Sequence, residues 1–149
     1  FGKARDRRFF VPTLVGFGRP GKKPGPCMLP EQAEEIGMGE VLEFLVRQLE
    51  QEDYLWKREG QASYAYFTRE GRLFTLFAHK KTQSIMPAIS KSTLEKEKLI
   101  DSEELHQRLA SELGTEQTVE NVRAFLHSVE DAEKFLDVMN EELFSKLKA

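Results

Sequence analysis

The sequence predicts an α+β fold with an extended basic N-terminal arm, on three observations. Two aromatic-rich runs flank a short turn at residues 69–71, and this pattern predicts a β-hairpin. Apolar residues recur three and four positions apart before and after the hairpin, which predicts amphipathic helices. Proline and glycine crowd residues 1–30. We therefore expect a small antiparallel sheet over about residues 54–80, packed by a preceding amphipathic helix and by a C-terminal group of three helices.

The first 30 residues are predicted to form the arm, because five prolines and five glycines argue against a long helix or a central strand. Seven basic residues and one acidic residue give it a net charge of +6, whereas the remaining 119 residues carry −9. This asymmetry predicts an anionic or acidic partner. The alternative is that the arm lies on the chain's own acidic helices. The residues expected to contact a partner are basic or apolar: Arg5, Arg7, Arg8, Phe9, Phe10, Leu14, Phe17, Arg19, Lys22 and Lys23.

The 149 residues have the length of one domain, and we expect residues 31–149 to form a single α+β domain after the arm. A helix is predicted over residues 38–53, followed by a short strand at 54–57 and by a hairpin of 63–68 and 72–79. Apolar side chains fall on both faces of this hairpin. We therefore expect cover on each side of the sheet, with helices on one side and the arm or a partner on the other.

After Pro87 the sequence predicts helices only. Residues 92–95 form a capping-box pattern that predicts a short helical turn. Asp101 is a second capping residue and begins a predicted helix over 102–113, which Gly114 would end.

Two further helices complete the predicted C-terminal group. The first covers residues 116–127, on the helical spacing of its apolar residues Val119, Val122, Phe125 and Leu126. The second begins at Ser128 and Asp131 and carries a broad apolar stripe to the end of the chain.

The sequence contains no motif that predicts a cofactor or a metal. Residues 16–21 match the G-x-G-x-x-G pattern of dinucleotide sites, but Pro24 and Pro26 would interrupt the helix that such a site needs. Paired metal-ligand spacing is missing from the three histidines, His79, His106 and His127. We expect neither a cofactor nor a metal, and the sequence favours a non-catalytic protein over an enzyme.

Cysteine content and hydropathy bear on the compartment. Cys27 is the only cysteine, so the fold has no intramolecular disulfide. No apolar run approaches the 18 or so residues of a transmembrane helix. We expect an intracellular protein of a reducing compartment, either the cytoplasm or an organelle matrix.

Two function classes fit these features. The first is a protein–protein interaction subunit or adaptor of a larger assembly, which docks other protein subunits through the basic, apolar arm. The second is a nucleic-acid-binding module for RNA or DNA that uses the arm and the hairpin, since aromatic rings stack on bases and cations contact phosphates. The hairpin residues expected to make those contacts are Tyr64, Tyr66, Arg69, Arg72, Lys80 and Lys81.

Overall fold

The computed structural model describes residues 27–148, so residues 1–26 of the predicted arm lie outside the described part of the chain. The helices are α1 (Leu29–Glu35), α2 (Gly39–Leu49), α3 (Lys91–Lys96), α4 (Ser102–Ala110), α5 (Val129–Met139) and α6 (Ser145–Lys148), with a π-helical turn at Asn140–Phe144 between the last two. The strands are β1 (Trp56–Glu59), β2 (Ser63–Thr68), β3 (Gly71–His79), β4 (Ser84–Ser90), β5 (Gly114–Gln117) and β6 (Asn121–Phe125).

The six strands form one antiparallel sheet in the order β1-β2-β3-β4-β6-β5. The predicted α+β class is confirmed. The sheet is larger than the predicted sheet of residues 54–80, which contains only β1 to β3. Strands β4, β6 and β5 extend it beyond the predicted hairpin.

The β2–β3 hairpin agrees with the sequence prediction because its turn is specified locally. Gly71 adopts a φ of 132°, a conformation that L side chains rarely adopt. The Thr68 hydroxyl accepts a hydrogen bond from the Glu70 backbone N–H at 3.2 Å. A register shift at Tyr66 and Phe67 inserts Leu73 as an extra residue in β3.

The prediction that the chain is helical after Pro87 is wrong, because Pro87 lies inside β4, opposite Leu76 of β3. Proline lacks the N–H that a central strand donates to its neighbour. The pairing of β4 with β6 has a gap at this position. It runs from Ala88 to Ser90 and resumes only at an isolated bridge between Ile85 and Leu126. The strand therefore accommodates proline where no ladder bond is made.

The predicted helix over residues 116–127 is also wrong, since this segment contains the end of β5 and all of β6. Helix α4 ends at Ala110, and Gly114 begins β5 instead of ending a helix. Val122 and Leu126 are buried as expected, but Val119 is 94% exposed in the turn between the two strands. The C-terminal helices are therefore α3, α4 and α5, of which α4 and α5 match predicted helices.

Helix starts depend on side-chain caps. Asp101 and Ser128 accept hydrogen bonds from the first-turn N–H groups of α4 and α5, as predicted. Helix α3, however, begins two residues before the predicted capping box at Ser92. Its cap is Ser90, whose hydroxyl accepts a hydrogen bond from the Thr93 N–H at 3.3 Å.

The core lies between one face of the sheet and the helices. Alternate residues of β2, β3, β4 and β6 contribute to it from the sheet. The buried apolar side chains of α1 to α5 all belong to this cluster. The largest of its fully buried members are Phe74, Phe135 and Phe144. Among residues 27–148, no helix has the length and hydropathy needed to cross a membrane.

Candidate interaction surface

The opposite face of the sheet, here called the outer face, is apolar as well. Side chains alternate along each strand, so residues next to the core positions project to the other side. No outer-face residue belongs to the core cluster described above. The outer face consists of Trp56, Arg58, Ala65, Phe67, Arg72, Thr75, Phe77, His79, Met86, Ala88, Glu116, Arg123 and Phe125.

One end of the outer face is an aromatic pair with a cation above it. Trp56 of β1 lies directly opposite Phe67 of β2, and their ring centroids are 6.2 Å apart with an angle of 10° between the planes. The Arg58 guanidinium lies 5.3 Å from the centroid of the Phe67 ring, a cation–π arrangement. Trp56 is 53% exposed, so much of this large ring remains in contact with water.

The middle of the outer face is made of small and aliphatic side chains. Ala65, Thr75, Met86 and Ala88 follow one another across β2, β3 and β4 and are all less than 10% exposed. Phe77 lies opposite Met86 and is 36% exposed. This part of the surface is therefore apolar and offers few hydrogen-bonding side chains.

The far end combines aromatic rings with polar groups. His79 of β3 and Phe125 of β6 have ring centroids 5.4 Å apart. The Nδ1 atom of His79 is hydrogen-bonded to the Thr82 hydroxyl at 2.8 Å, and that hydroxyl is hydrogen-bonded to Ser84 at 2.6 Å. These bonds fix the imidazole ring against Phe125.

The charged residues of the outer face are mainly arginines. Arg58 and Arg72 are exposed, and Arg123 donates a hydrogen bond to the Glu116 carboxylate at 3.2 Å. Residues 56–90 contain six basic and two acidic side chains, although the whole chain has a net charge of −3. The outer face thus has the opposite sign to the chain as a whole.

Two of the six hairpin residues predicted to contact nucleic acid are core residues. Tyr64 is 8% and Tyr66 2% exposed, and both belong to the core cluster on the helix side. The Tyr66 ring stacks on Phe74, with centroids 4.9 Å apart. Neither ring therefore presents a free face on which a base could stack.

The four predicted cations do not form one cluster. Arg69 lies in the β2–β3 turn, whereas Lys80 and Lys81 lie in the β3–β4 turn at the other end of the nine-residue strand β3. At the usual rise, such a strand is about 30 Å long. Only Arg72 belongs to the outer face, where it pairs with Phe67 across the two strands. The predicted contact residues of the arm, from Arg5 to Lys23, lie outside the described residues.

Burial affects the acid–base behaviour of all three tyrosines. Burial raises the pKa of Tyr66, and the nearby Tyr64, Glu50 and Glu59 raise it further. The pKa of Tyr54 is raised by burial and by its hydrogen bond to Glu52, at 2.8 Å. The pKa of Tyr64 is also raised, mainly by burial. All three hydroxyls therefore hold their protons more strongly than a tyrosine in water.

Within residues 27–148, no group of three or more histidine, cysteine, aspartate or glutamate side chains is arranged to hold a metal ion. Comparison of the chain with family models, with curated proteins and with solved structures finds no match. The case for a function therefore depends on the surface itself.

Proposed function

We propose that this protein is a non-catalytic interaction subunit, an adaptor in a larger assembly, and that it docks a partner protein on the outer face of its sheet. The observation that carries this proposal is an apolar and aromatic sheet face that lies opposite the helix-covered face. A contiguous apolar patch is unfavourable in water and is typical of an interaction site. Tryptophan and arginine are the side chains that contribute most often to binding at such sites.

The charges on the outer face indicate the chemistry of the partner. Arg58 and Arg72 are exposed cations on this face. Its carboxylate, Glu116, already pairs with Arg123. A complementary surface would therefore combine an apolar centre with carboxylates at its border. We expect an acidic, partly apolar protein surface, and the basic arm predicted from the sequence would add cationic contacts to the same kind of partner.

Nucleic acid is a second candidate partner, favoured by the positive charge of residues 56–90. Exposed rings such as Trp56 can stack on unpaired bases, and arginines can contact phosphates. It ranks second because the middle of the face, at Ala65, Met86 and Ala88, has no side chain that can donate or accept a hydrogen bond to a base edge.

Site-specific photocrosslinking tests the proposal. A photoreactive phenylalanine analogue would replace Trp56 in one full-length variant and Phe77 in another. A third variant would carry the analogue at Val119, which is 94% exposed and lies in the β5–β6 turn away from the outer face. The three variants would be irradiated in cells of the source organism, and each adduct would be identified after digestion by protease or nuclease.

The proposal predicts a protein adduct of the same partner from positions 56 and 77 and not from position 119. The attached peptide should contain both apolar and acidic residues. Adducts that nuclease removes would replace this proposal with the nucleic-acid alternative. Equal labelling from all three positions, or no adduct from the outer face, would exclude the outer face as the docking surface.

A further inference from the structure

A groove on the helix side of the molecule has properties that the outer face does not share. It lies between α1, α2 and β2 and has a volume of about 610 Å³. Its apolar lining comes from Pro30, Leu42, Val46 and Tyr64. Its charged lining comes from Glu34, Glu40, Glu43, Arg47 and Glu50. Four carboxylates and one guanidinium make this groove strongly acidic around an apolar lining.

The acidic residues of α2 lie along one side of the helix. Glu40, Glu43, Arg47 and Glu50 are separated by three, four and three positions, a spacing that aligns side chains along the axis. At the usual helical rise they span about 15 Å. Arg47 lies 3.8 Å from Glu43, and both side chains are largely exposed. Such a pair is weak, so it opposes a competing cation only slightly.

Glu34 is held at the same groove by the glycine at the start of α2. A β-carbon at Gly39 would collide with the Glu34 carboxyl group, so the absence of a side chain there makes room for it. The carboxylate lies close to the positive N-terminal end of α2, which favours negative charge. Gly39 therefore allows α1 to contribute a carboxylate to a groove otherwise made mainly by α2.

A buried hydroxyl group beneath this region has no hydrogen-bond partner. Tyr66 is only 2% exposed, and its hydroxyl makes no hydrogen bond to any described residue. The charge of Glu50 acts on this hydroxyl, which therefore lies near one end of the groove. Buried polar groups of this kind normally find a partner in the protein, in water or in a ligand.

We propose that this groove binds the chain's own basic segment, residues 19–23, whose sequence is Arg-Pro-Gly-Lys-Lys. The position at which the chain enters the described structure supports this occupant. The Met28 N–H donates to the Gln61 carbonyl at 2.8 Å, and Pro30 already lines the groove. Lys23 precedes Cys27 by four residues, a separation of at most about 14 Å in an extended chain. Lys23 is therefore within reach of the groove.

Charge and chain stiffness both favour this occupant. Arg19, Lys22 and Lys23 carry three positive charges, which match the net charge of −3 on the groove lining. Pro20 and Pro24 restrict the free chain, so ordering it costs less entropy than ordering a glycine-serine segment. Their rings are also suited to an apolar lining. The inference does not involve the outer face, and it gives residues 19–23 an intramolecular contact without changing the partner role predicted for residues 5–17.

Zero-length carbodiimide crosslinking of the full chain tests this inference, because the reagent joins a lysine only to a carboxylate in direct contact. We expect amide links from Lys22 or Lys23 to Glu40, Glu43 or Glu50, identified by peptide mass spectrometry. A mixture of isotope-labelled and unlabelled protein, at low concentration, would separate links within one molecule from links between two. The expected links join peptides of the same isotopic composition.

A second acidic groove provides the matched control. It lies between α2 and α5 and is lined by Glu52, Glu133 and Asp137, together with apolar side chains that include Phe44. Nonspecific attraction of the basic segment would label both grooves equally. Predominant links to Glu133 or Asp137, links of mixed isotopic composition, or no link to the first groove would each overturn the inference.

Charge reversal gives an independent readout. The double variant Glu43→Lys and Glu50→Lys should reduce the remaining link to Glu40 by about threefold for each reversed charge, the scale of an exposed ion pair. Adding Lys22→Glu and Lys23→Glu should restore crosslinks through the swapped pairs. Failure of the combined variant to restore them would show that complementary charge does not hold the segment in this groove.

Discussion

Trp56 and Phe67 lie opposite each other on β1 and β2, with their rings nearly parallel and centroids 6.2 Å apart. This pair is on the sheet face that lies away from the core cluster. The same strand β2 also carries Tyr64 and Tyr66, which are buried under the helices. One short strand therefore separates aromatic residues that build the core from an aromatic residue suited to binding.

Replacing Trp56 with alanine should weaken partner binding much more than it weakens folding. A large aromatic residue at an interface can contribute about 2 kcal/mol or more, which corresponds to a roughly thirtyfold loss of affinity. Trp56 is 53% exposed and lies on an edge strand, so its removal costs the free protein little. Titration with the partner identified by crosslinking, together with urea unfolding, measures both quantities. Val119→Ala is the matched control, and a similar loss of affinity in it would contradict the prediction.

Two neighbouring serines should differ sharply in their effect on stability. Ser90 caps α3 through its hydroxyl, whereas Ser92 lies inside that helix. Ser90→Ala should lower the free energy of unfolding by about 1 kcal/mol. Ser92→Ala should leave it unchanged or raise it slightly, because alanine is the better helix former. Urea unfolding of the two variants checks this, and the reverse order would support the capping box predicted from the sequence.

Local signals in the sequence were enough for those elements whose determinants are close together in the chain. The β2–β3 hairpin follows from a turn with Gly71, and α4 and α5 follow from the caps Asp101 and Ser128. Strand β4 could not be predicted in this way. Whether Pro87 is tolerated depends on the gap in the pairing of β4 with β6, and β6 lies more than 30 residues further along the chain.

The candidate site was only partly predictable for the same reason. The alternation of apolar residues in β2 indicates two apolar faces, but it does not indicate which face the helices cover. Helix packing buries Tyr64 and Tyr66 and leaves Phe67 on the outer face with Arg72. Trp56 was missed because its strand was predicted two residues early, at residues 54–57. Its alignment with Phe67 could have been found by testing the register of neighbouring strands.

Removing the Tyr66 hydroxyl should stabilise the protein. This hydroxyl is buried and has no hydrogen-bond partner among the described residues. Tyr66→Phe keeps the ring stacked on Phe74 and removes the cost of burying an unpaired polar group, so we expect a gain of about 1 kcal/mol. Chemical denaturation measures this change. A loss of stability would show that the hydroxyl has a partner in solution.

The three tyrosines should make the protein unstable in alkali. Burial raises the pKa of each above its ordinary value near 10. The folded protein therefore retains protons that the unfolded chain releases, and the free energy of unfolding falls as the pH rises above about 10. Below that pH these groups have no effect. Phenolate absorbance should appear together with the loss of circular dichroism, whereas a tyrosine signal that precedes unfolding would contradict this assignment.

Paired alanine substitutions in the last hairpin distinguish strand from helix. In a helix over residues 116–127, Val119 and Val122 would lie on the same apolar side, and both substitutions would cost stability. In the observed hairpin Val122 is fully buried between β4 and β5, whereas Val119 is 94% exposed. Val122→Ala should therefore lower the free energy of unfolding by about 2 kcal/mol, and Val119→Ala by almost nothing. Equal losses in urea unfolding would restore the helical assignment, because only a shared buried side makes the two valines equivalent.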